Sequence, residues 1–281
     1  MNSNVLRTLP LLLWPGALLL LFGAVPLALL LRVSLAPHDP SGLWNPGITP
    51  TSYVALTDQE LVRAVGYSLG LAAAVAAISV GLGFPLTYLI TRMPRPQQVG
   101  WLIFLLATLS LSDVLTAFSW QVILSKRIGL SNLLVWIGLM DHPDSLTPSN
   151  GAVLVCLVYL VLPFTVLTLY PSLSRLDRAL VEAARTLGDS PLRSFISVVI
   201  PIARGPTFIA FLMSAVLTLG AYVPPLVLGR PEYWTMAVLI GQTALGGHNL
   251  SLAAAMSIFL LAVTVSVAIT TARAANPKTS R

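Results

Sequence analysis

Positions 177 to 188 read Asp177-Arg178-Ala179-Leu180-Val181-Glu182-Ala183-Ala184-Arg185-Thr186-Leu187-Gly188, and Ser190-Pro191 and Val198-Val199-Ile200-Pro201 follow closely. Asp177 is placed to cap a helix, because a short side-chain oxygen can accept from the free amides of the first turn. Leu176, Leu180, Ala183, Ala184 and Leu187 recur at steps of three and four, which predicts an apolar helical stripe. Gly188 can adopt the left-handed conformation that ends many helices, and proline suits the first position of the helix that Ser190-Pro191 starts. Arg178, Glu182 and Arg185 fall on the other face, where they can pair with one another or with a partner's charges. Spacing alone does not separate a docking helix from a solvated amphipathic one.

The surroundings of this loop decide its context. Of 281 residues, 56% are hydrophobic and 9% charged, and the mean hydropathy is +0.85. That balance excludes an ordinary soluble globule. Six apolar runs, Leu9 to Leu31, Tyr67 to Ile90, Trp101 to Leu124, Gly151 to Tyr170, Thr207 to Leu228 and Leu252 to Thr271, predict membrane-spanning helices, since about 20 helical residues cross a hydrocarbon core. The first run is longer than a signal-peptide core of about 7 to 15 residues and reads as a retained anchor. The connections are polar, Pro- and Gly-containing loops rather than domains, so residues 1–281 are expected to form one transmembrane domain, with the loop of about 172–205 at one of its faces.

Basic residues give the orientation. With both termini in the cytoplasm, Arg7, Arg92, Arg95, Arg175, Arg178, Arg185, Arg193, Arg204, Arg273, Lys278 and Arg281 lie inside. Arg32, Arg63, Lys126, Arg127 and Arg230 are left outside, as the positive-inside rule favours. The net charge of +6 therefore marks membrane edges rather than a nucleic-acid face. Leu133 to Met140 and Met236 to Leu245 are too short to span and read as interfacial or re-entrant helices near the outer mouth.

Pro15 and Pro26 in the first run, Pro85 in the second, Pro163 in the fourth, and Pro224 with Pro225 closing the fifth free backbone carbonyls that need partners or a wet cavity. Gly66-x-x-x-Gly70 would permit close helix approach. Cys156 reads as a small buried hydrophobe. His38, His142 and His248 have no common ligand spacing, so no metal site is expected.

The segment Glu182-Ala183-Ala184-Arg185-Thr186-Leu187-Gly188, with Val198, Ile200 and Pro201, resembles the EAA loop of ATP-binding-cassette (ABC) importer permeases. Glu182, Ala183, Ala184, Gly188 and Pro201 match at the family spacing, while Val198 and Ile200 replace its usual Ile and Leu. The resemblance implies an all-α membrane fold, a type I importer permease of six spans with a coupling helix between the fourth and fifth. It further implies a bacterial inner-membrane location, a cytoplasmic ABC ATPase dimer that receives this helix, a second six-span subunit that is usually a different chain, and a periplasmic solute-binding protein. In such a system Glu182, Ala183, Ala184, Arg185, Leu187 and Gly188 form the ATPase contact. No cofactor is expected in the chain itself, because Lys126 and Lys278 lack the glycines of an ATP-binding phosphate loop. ATP is bound and hydrolysed by the partner.

Two further stretches resemble the spermidine/putrescine-type permease group: Ser112 to Leu134, with Ser119-Trp120, Ile123-Leu124, Gly129 and Asn132-Leu133-Leu134, and Gly220 to Gly229. Importers of iron(III), thiamine, opines or phosphonates share parts of both, and Thr116 stands about where the group often has arginine. Asp113 is the acid inside a predicted span and shares a helical face with Thr116, Ala117 and Trp120. One reading has it line the path of a cationic solute beside an aromatic ring. In the other it caps a helix break or bonds to the second permease. Tyr159 and Tyr222 are further pathway candidates, because their hydroxyls need partners within the membrane. A channel would need a filter or charged ring, and an intramembrane enzyme paired acids or a Ser-His pair. Neither pattern is visible.

Overall fold

The computed structural model describes residues 16, 18, 20–37, 47–126, 130–138, 142 and 144–275. Arg7, Pro15, His38, Arg127, Gly129, Lys278, Arg281 and the first part of the Leu9 to Leu31 run lie outside the described residues. The chain divides into two compact units, residues 1–63 with 239–262 and residues 64–238 with 263–281. In the first, a π-helical turn Leu20–Ala24 leads into α1 (Val25–Ser34), and α2 (Thr51–Ala55) follows a loop. Ser34 Oγ lies 2.8 Å from Tyr53 Oη, tying α1 to α2.

The second unit carries the candidate sites. Its elements are α3 (Gln59–Arg92, entering from the first unit), α4 (Arg95–Leu109), α5 (Asp113–Ile123), α6 (Leu130–Trp136), α7 (Asn150–Ser174), α8 (Arg178–Thr186), α9 (Pro191–Ser194), α10 (Ile200–Leu219) and α11 (Val223–Leu228). Then come α12 (Met236–Leu245) and α13 (Leu250–Ala275), each of which runs across the division. Four helical stretches among the described residues are long and apolar enough to cross a membrane: Gln59–Arg92, Asn150–Ser174, Pro191–Leu219 and Leu250–Ile269. Met236–Leu245 forms the short apolar helix expected from the sequence.

The third and fifth expected spans are interrupted. Trp101 to Leu124 is not one helix: α4 and α5 meet at a 91° bend. Ser110-Leu111-Ser112 separates them, and Ser112 is extended (ψ 134), as befits a residue whose short polar side chain favours a helix boundary. The fifth run does not continue to Leu228. α10 stops at Leu219, Gly220-Ala221-Tyr222 breaks it, and Pro224 and Pro225 open α11 instead of closing α10. Proline tolerates the first turn, where its missing N–H is not needed, and cannot sit deeper without losing a helical bond.

α7 is the central element. Ser149 caps it by accepting from the Ala152 amide at 3.1 Å. Its Leu157, Cys156 and Val153 pack with Val75 of α3, Leu124 and Leu228, and its Leu169 and Leu173 pack with Phe84 of α3 and Ala203 of α10. Cys156 is fully buried, as expected. Lipid tails are as apolar as leucine, so helices here associate through close packing and polar contacts rather than water exclusion. α3 accordingly buries a stripe of small residues, Ser68, Ala72, Ala76, Ser79 and Gly83, and Ala72 and Ala76 meet Ala215 and Leu219 of α10. Among the described residues nothing approaches Gly66 or Gly70: a Cβ at either would meet no atom within 4 Å. Gly83 is the tight position instead: a Cβ there would come within 3.2 Å of Thr165 Cγ2. Thr165 in turn lies 2.8 Å from Ser214 Oγ, a buried hydroxyl pair between α7 and α10.

Candidate functional site

Two regions of the second unit bring together the residues singled out in the sequence. The first is α8. Asp177 Oδ1 accepts from the Ala179 amide at 2.9 Å, the cap expected from its position. At the other end Gly188 is left-handed (φ +98). Its N–H reaches the Arg185 carbonyl and the Asp189 N–H reaches the Ala184 carbonyl, both at 3.1 Å, the paired bonds of a Schellman closure. Ser190 Oγ then accepts from the Arg193 amide at 3.3 Å, starting α9 with Pro191 in its first turn. Asp189 also takes an ion pair from Arg193 at 3.2 Å and a hydrogen bond from Ser197 at 3.1 Å. Both ends of the loop helix are therefore closed by its own residues.

The face that α8 buries differs from the stripe expected. Val181 is the inward residue, packing with Leu173, Val199 and Phe84, with Leu176 beside them. Leu180 is 48% exposed and Leu187 89% exposed, and Ala183 is also outward. Leu180, Ala183 and Leu187 thus form an uncovered apolar stripe at steps of three and four. Glu182 and Arg185 flank it, both exposed. Arg178 turns back and donates to the Thr91 carbonyl at 3.3 Å, joining α8 to the last turn of α3.

The second region is a cavity of about 550 Å³ at the two helix breaks. Leu109 and Asp113 reach it from the α4–α5 bend, and Thr218, Gly220, Ala221, Tyr222 and Pro224 from the α10–α11 break. Leu157, Leu160, Val161 and Phe164 of α7 form the remaining wall. Among the described residues that line it, Asp113 alone is charged. It occupies the first turn of α5, where the free amides and the helix dipole favour an anion. Neither Ser112 nor Tyr222, the residues preceding α5 and α11, closes its helix with a side-chain bond. Irregular backbone of this kind persists at membrane depth only inside protein or beside water.

The structure unites Asp113 and Tyr222 in this cavity and separates the other candidates from it. Thr116 is buried within α5. Trp120 and Tyr159 pack edge to face, with ring centroids 5.8 Å apart. Thr218 and Phe164 were missed in the sequence, and neither carries a local signal. Gly220-Ala221 before Pro224-Pro225 does carry one: a proline pair marks a helix start as readily as an end.

Comparison with known proteins bears on what such a helix bundle is. Residues 128–280 match the family described as binding-protein-dependent transport system inner membrane component. The chain belongs to this family. The permease is 26% identical to the spermidine/putrescine transport system permease protein PotB of Escherichia coli K12 over 245 residues, 87% of this chain and 89% of PotB. It is 25% identical to the putrescine transport system permease protein PotI of the same organism over 256 residues, 89% of this chain and 86% of PotI. Its fold matches a chain of a bacterial ABC transporter involved in the import of the acidic polysaccharide alginate, with a TM-score of 0.79, 16% identity and 99% of each chain covered. A second alginate transporter structure, in complex with an alginate pentasaccharide-bound periplasmic protein, matches with a TM-score of 0.74, 16% identity, 96% of this chain and 94% of that chain. The protein is thus a permease subunit of an ABC importer, with the all-α membrane fold of that class, in the inner membrane.

Proposed function

We propose that this permease forms half of the path for a small cationic solute of the polyamine class, such as spermidine or putrescine, with Asp113 as its anionic contact. The observation that carries this reading is the placement of one carboxylate, the single charged group among the described lining residues, in a largely apolar cavity where two broken helices meet. A primary ammonium would bond to the carboxylate while methylene groups lie against Leu157, Leu160 and Phe164, and the Tyr222 hydroxyl offers a second polar contact. Thr116, Trp120 and Tyr159 do not line this cavity. Relatives named for spermidine and putrescine point the same way. The fold alone does not choose a cargo, since its structural neighbours belong to an alginate importer.

The α8 stripe is the proposed seat for an ATPase. Leu180, Ala183 and Leu187 would enter an apolar cleft, and Glu182 and Arg185 would orient the helix through charged contacts. Hydrolysis then belongs to the ATPase dimer, and closure of that dimer would push α8 and rock the permease between its two access states. A second six-span subunit completes the path and a periplasmic protein delivers the solute. In this arrangement the chain acts as one transmembrane domain with both termini and α8 in the cytoplasm, as its arginine distribution favours.

Uptake of labelled spermidine and putrescine by cells carrying Asp113→Asn tests the reading. A bond to a charged group contributes about 1.5 to 3 kcal/mol, so uptake at limiting solute should fall roughly ten-fold or more at equal membrane abundance. Unchanged uptake would remove Asp113 from the path.

A further inference from the structure

We propose that Gln98 is the positioning residue through which travel of α8 reaches the solute cavity, an inference that rests on the reading of α8 as the ATPase seat. α3 ends in carbonyls that helical amides do not reach. Pro94, three residues beyond Thr91, has no N–H to offer. Gln98 meets that need from the first turn of α4: its Nε2 donates to the Met93 carbonyl at 2.8 Å and to the Thr91 carbonyl at 3.4 Å. Both amide protons are thereby used, and Oε1 accepts from Tyr170 Oη of α7 at 2.7 Å. Arg178 of α8 donates to the same Thr91 carbonyl at 3.3 Å, whose two lone pairs admit both donors. One side-chain amide therefore ties α4 to α3 and α7 and shares an acceptor with α8.

Apolar contacts do not supply the same hold. Leu105 of α4 packs with Ile90 of α3 and Val166 of α7, but apolar association is non-directional. Among the described residues Gln98 is the α4 side chain that hydrogen-bonds outside its own helix, while the Thr108 hydroxyl returns to the Phe104 carbonyl. The directional hold on α4 is concentrated at Gln98. From there α4 continues unbroken to Leu109, about 16 Å farther at 1.5 Å per residue. Leu109 and, across the 91° bend, Asp113 line the cavity. A push on α8 that moves Arg178 acts on the carbonyl that Gln98 also holds, and a stiff helix carries the displacement to the cavity wall.

The assembled transporter in nanodiscs, carrying Ser112→Cys as a reporter next to Asp113, tests this without any transported solute. Ser112 is exposed and Cys156 fully buried, so a polar maleimide reads the reporter. Closing the ATPase with ATP and vanadate should change its labelling rate. Gln98→Met keeps the side chain's length and loses its three bonds, and the change should shrink about three-fold or more. It should shrink less in Tyr170→Phe, and the double variant should lose no more than Gln98→Met alone, because members of one network are not additive. ATPase retention and the rate without nucleotide should stay as in the starting transporter, and the exposed neighbour variant Gln97→Met should keep the full change. An undiminished change in Gln98→Met overturns the proposal. So do additive losses in the double variant, an equal loss in Gln97→Met, a shifted rate without nucleotide, ATPase release that accounts for the loss, or a starting transporter whose labelling ATP and vanadate leave unaltered. Failure of the α8 seat reads out separately, as full ATPase retention by Leu187→Asp.

Discussion

The α8 loop and the cavity at the helix breaks are both built from helix ends, and they treat those ends in opposite ways. α8 is closed at its start by Asp177 and at its finish by the Gly188 turn, and α9 begins on Ser190. At the cavity, Ser112 and Tyr222 precede α5 and α11 without capping them, and Asp113 stands in the first turn. A helix that must transmit a push benefits from closed ends, which keep it from fraying. A surface that must meet a passing solute benefits from open ones, because uncommitted polar groups can be exchanged between water and solute.

The contrast can be attacked first at the outward stripe of α8. Leu187→Asp puts a charge at its most exposed leucine, and if the stripe is an interface centre the loss is about 2 kcal/mol or more. Co-purification of the ATPase should then drop roughly thirty-fold at matched concentrations. Retention as in the unaltered protein would show that the stripe is not covered. Next comes Gly188→Val, which forces a branched residue into a left-handed backbone at a cost of about 1 to 2 kcal/mol. Solute-driven ATP hydrolysis in proteoliposomes should fall while the amount of inserted permease stays constant. Asp177→Ala removes only a cap worth about 1 kcal/mol, so amide exchange in Ala179 to Val181 should quicken by about five-fold. At the weak end, Lys126→Ala breaks a 3.8 Å ion pair with Asp144 in which both side chains are exposed. Its effect on unfolding should lie within about 0.5 kcal/mol. A larger one would mean that the α5 end is less independent of its loops than its geometry indicates.

The same contrast explains what could be read from the amino acids. α8 was foreseen to its caps, because capping is local: Asp177, Gly188 and Ser190-Pro191 act within a few residues of themselves. Which face α8 buries was not read, since Val181 turns inward only because Phe84 and Val199 wait there, and no spacing rule contains those neighbours. The second, fourth and sixth spans lie within helices, as expected from uninterrupted apolar runs. The breaks in the third and fifth did leave traces, Ser110-Leu111-Ser112 and the proline pair, but hydrophobicity averaged over a span outweighs three residues. That Asp113 and Tyr222 share one cavity could not be read from either stretch. They are distant in sequence and are brought together by α7 and by the backbone bonds from Ser149 to Leu228 and from Leu146 to Leu124.

The bond from Arg178 to the Thr91 carbonyl changes what α8 is mechanically. Val181 already seats α8 against Phe84, Leu173 and Val199, and the bond adds a second, directional hold. With it, α8 resembles a crank with a bearing at the foot of α3. Travel at the loop would have to turn that helix, or break the hydrogen bond and unseat Val181 together, and the weaker of these two resistances would set how far α8 could move before the neighbouring helices followed.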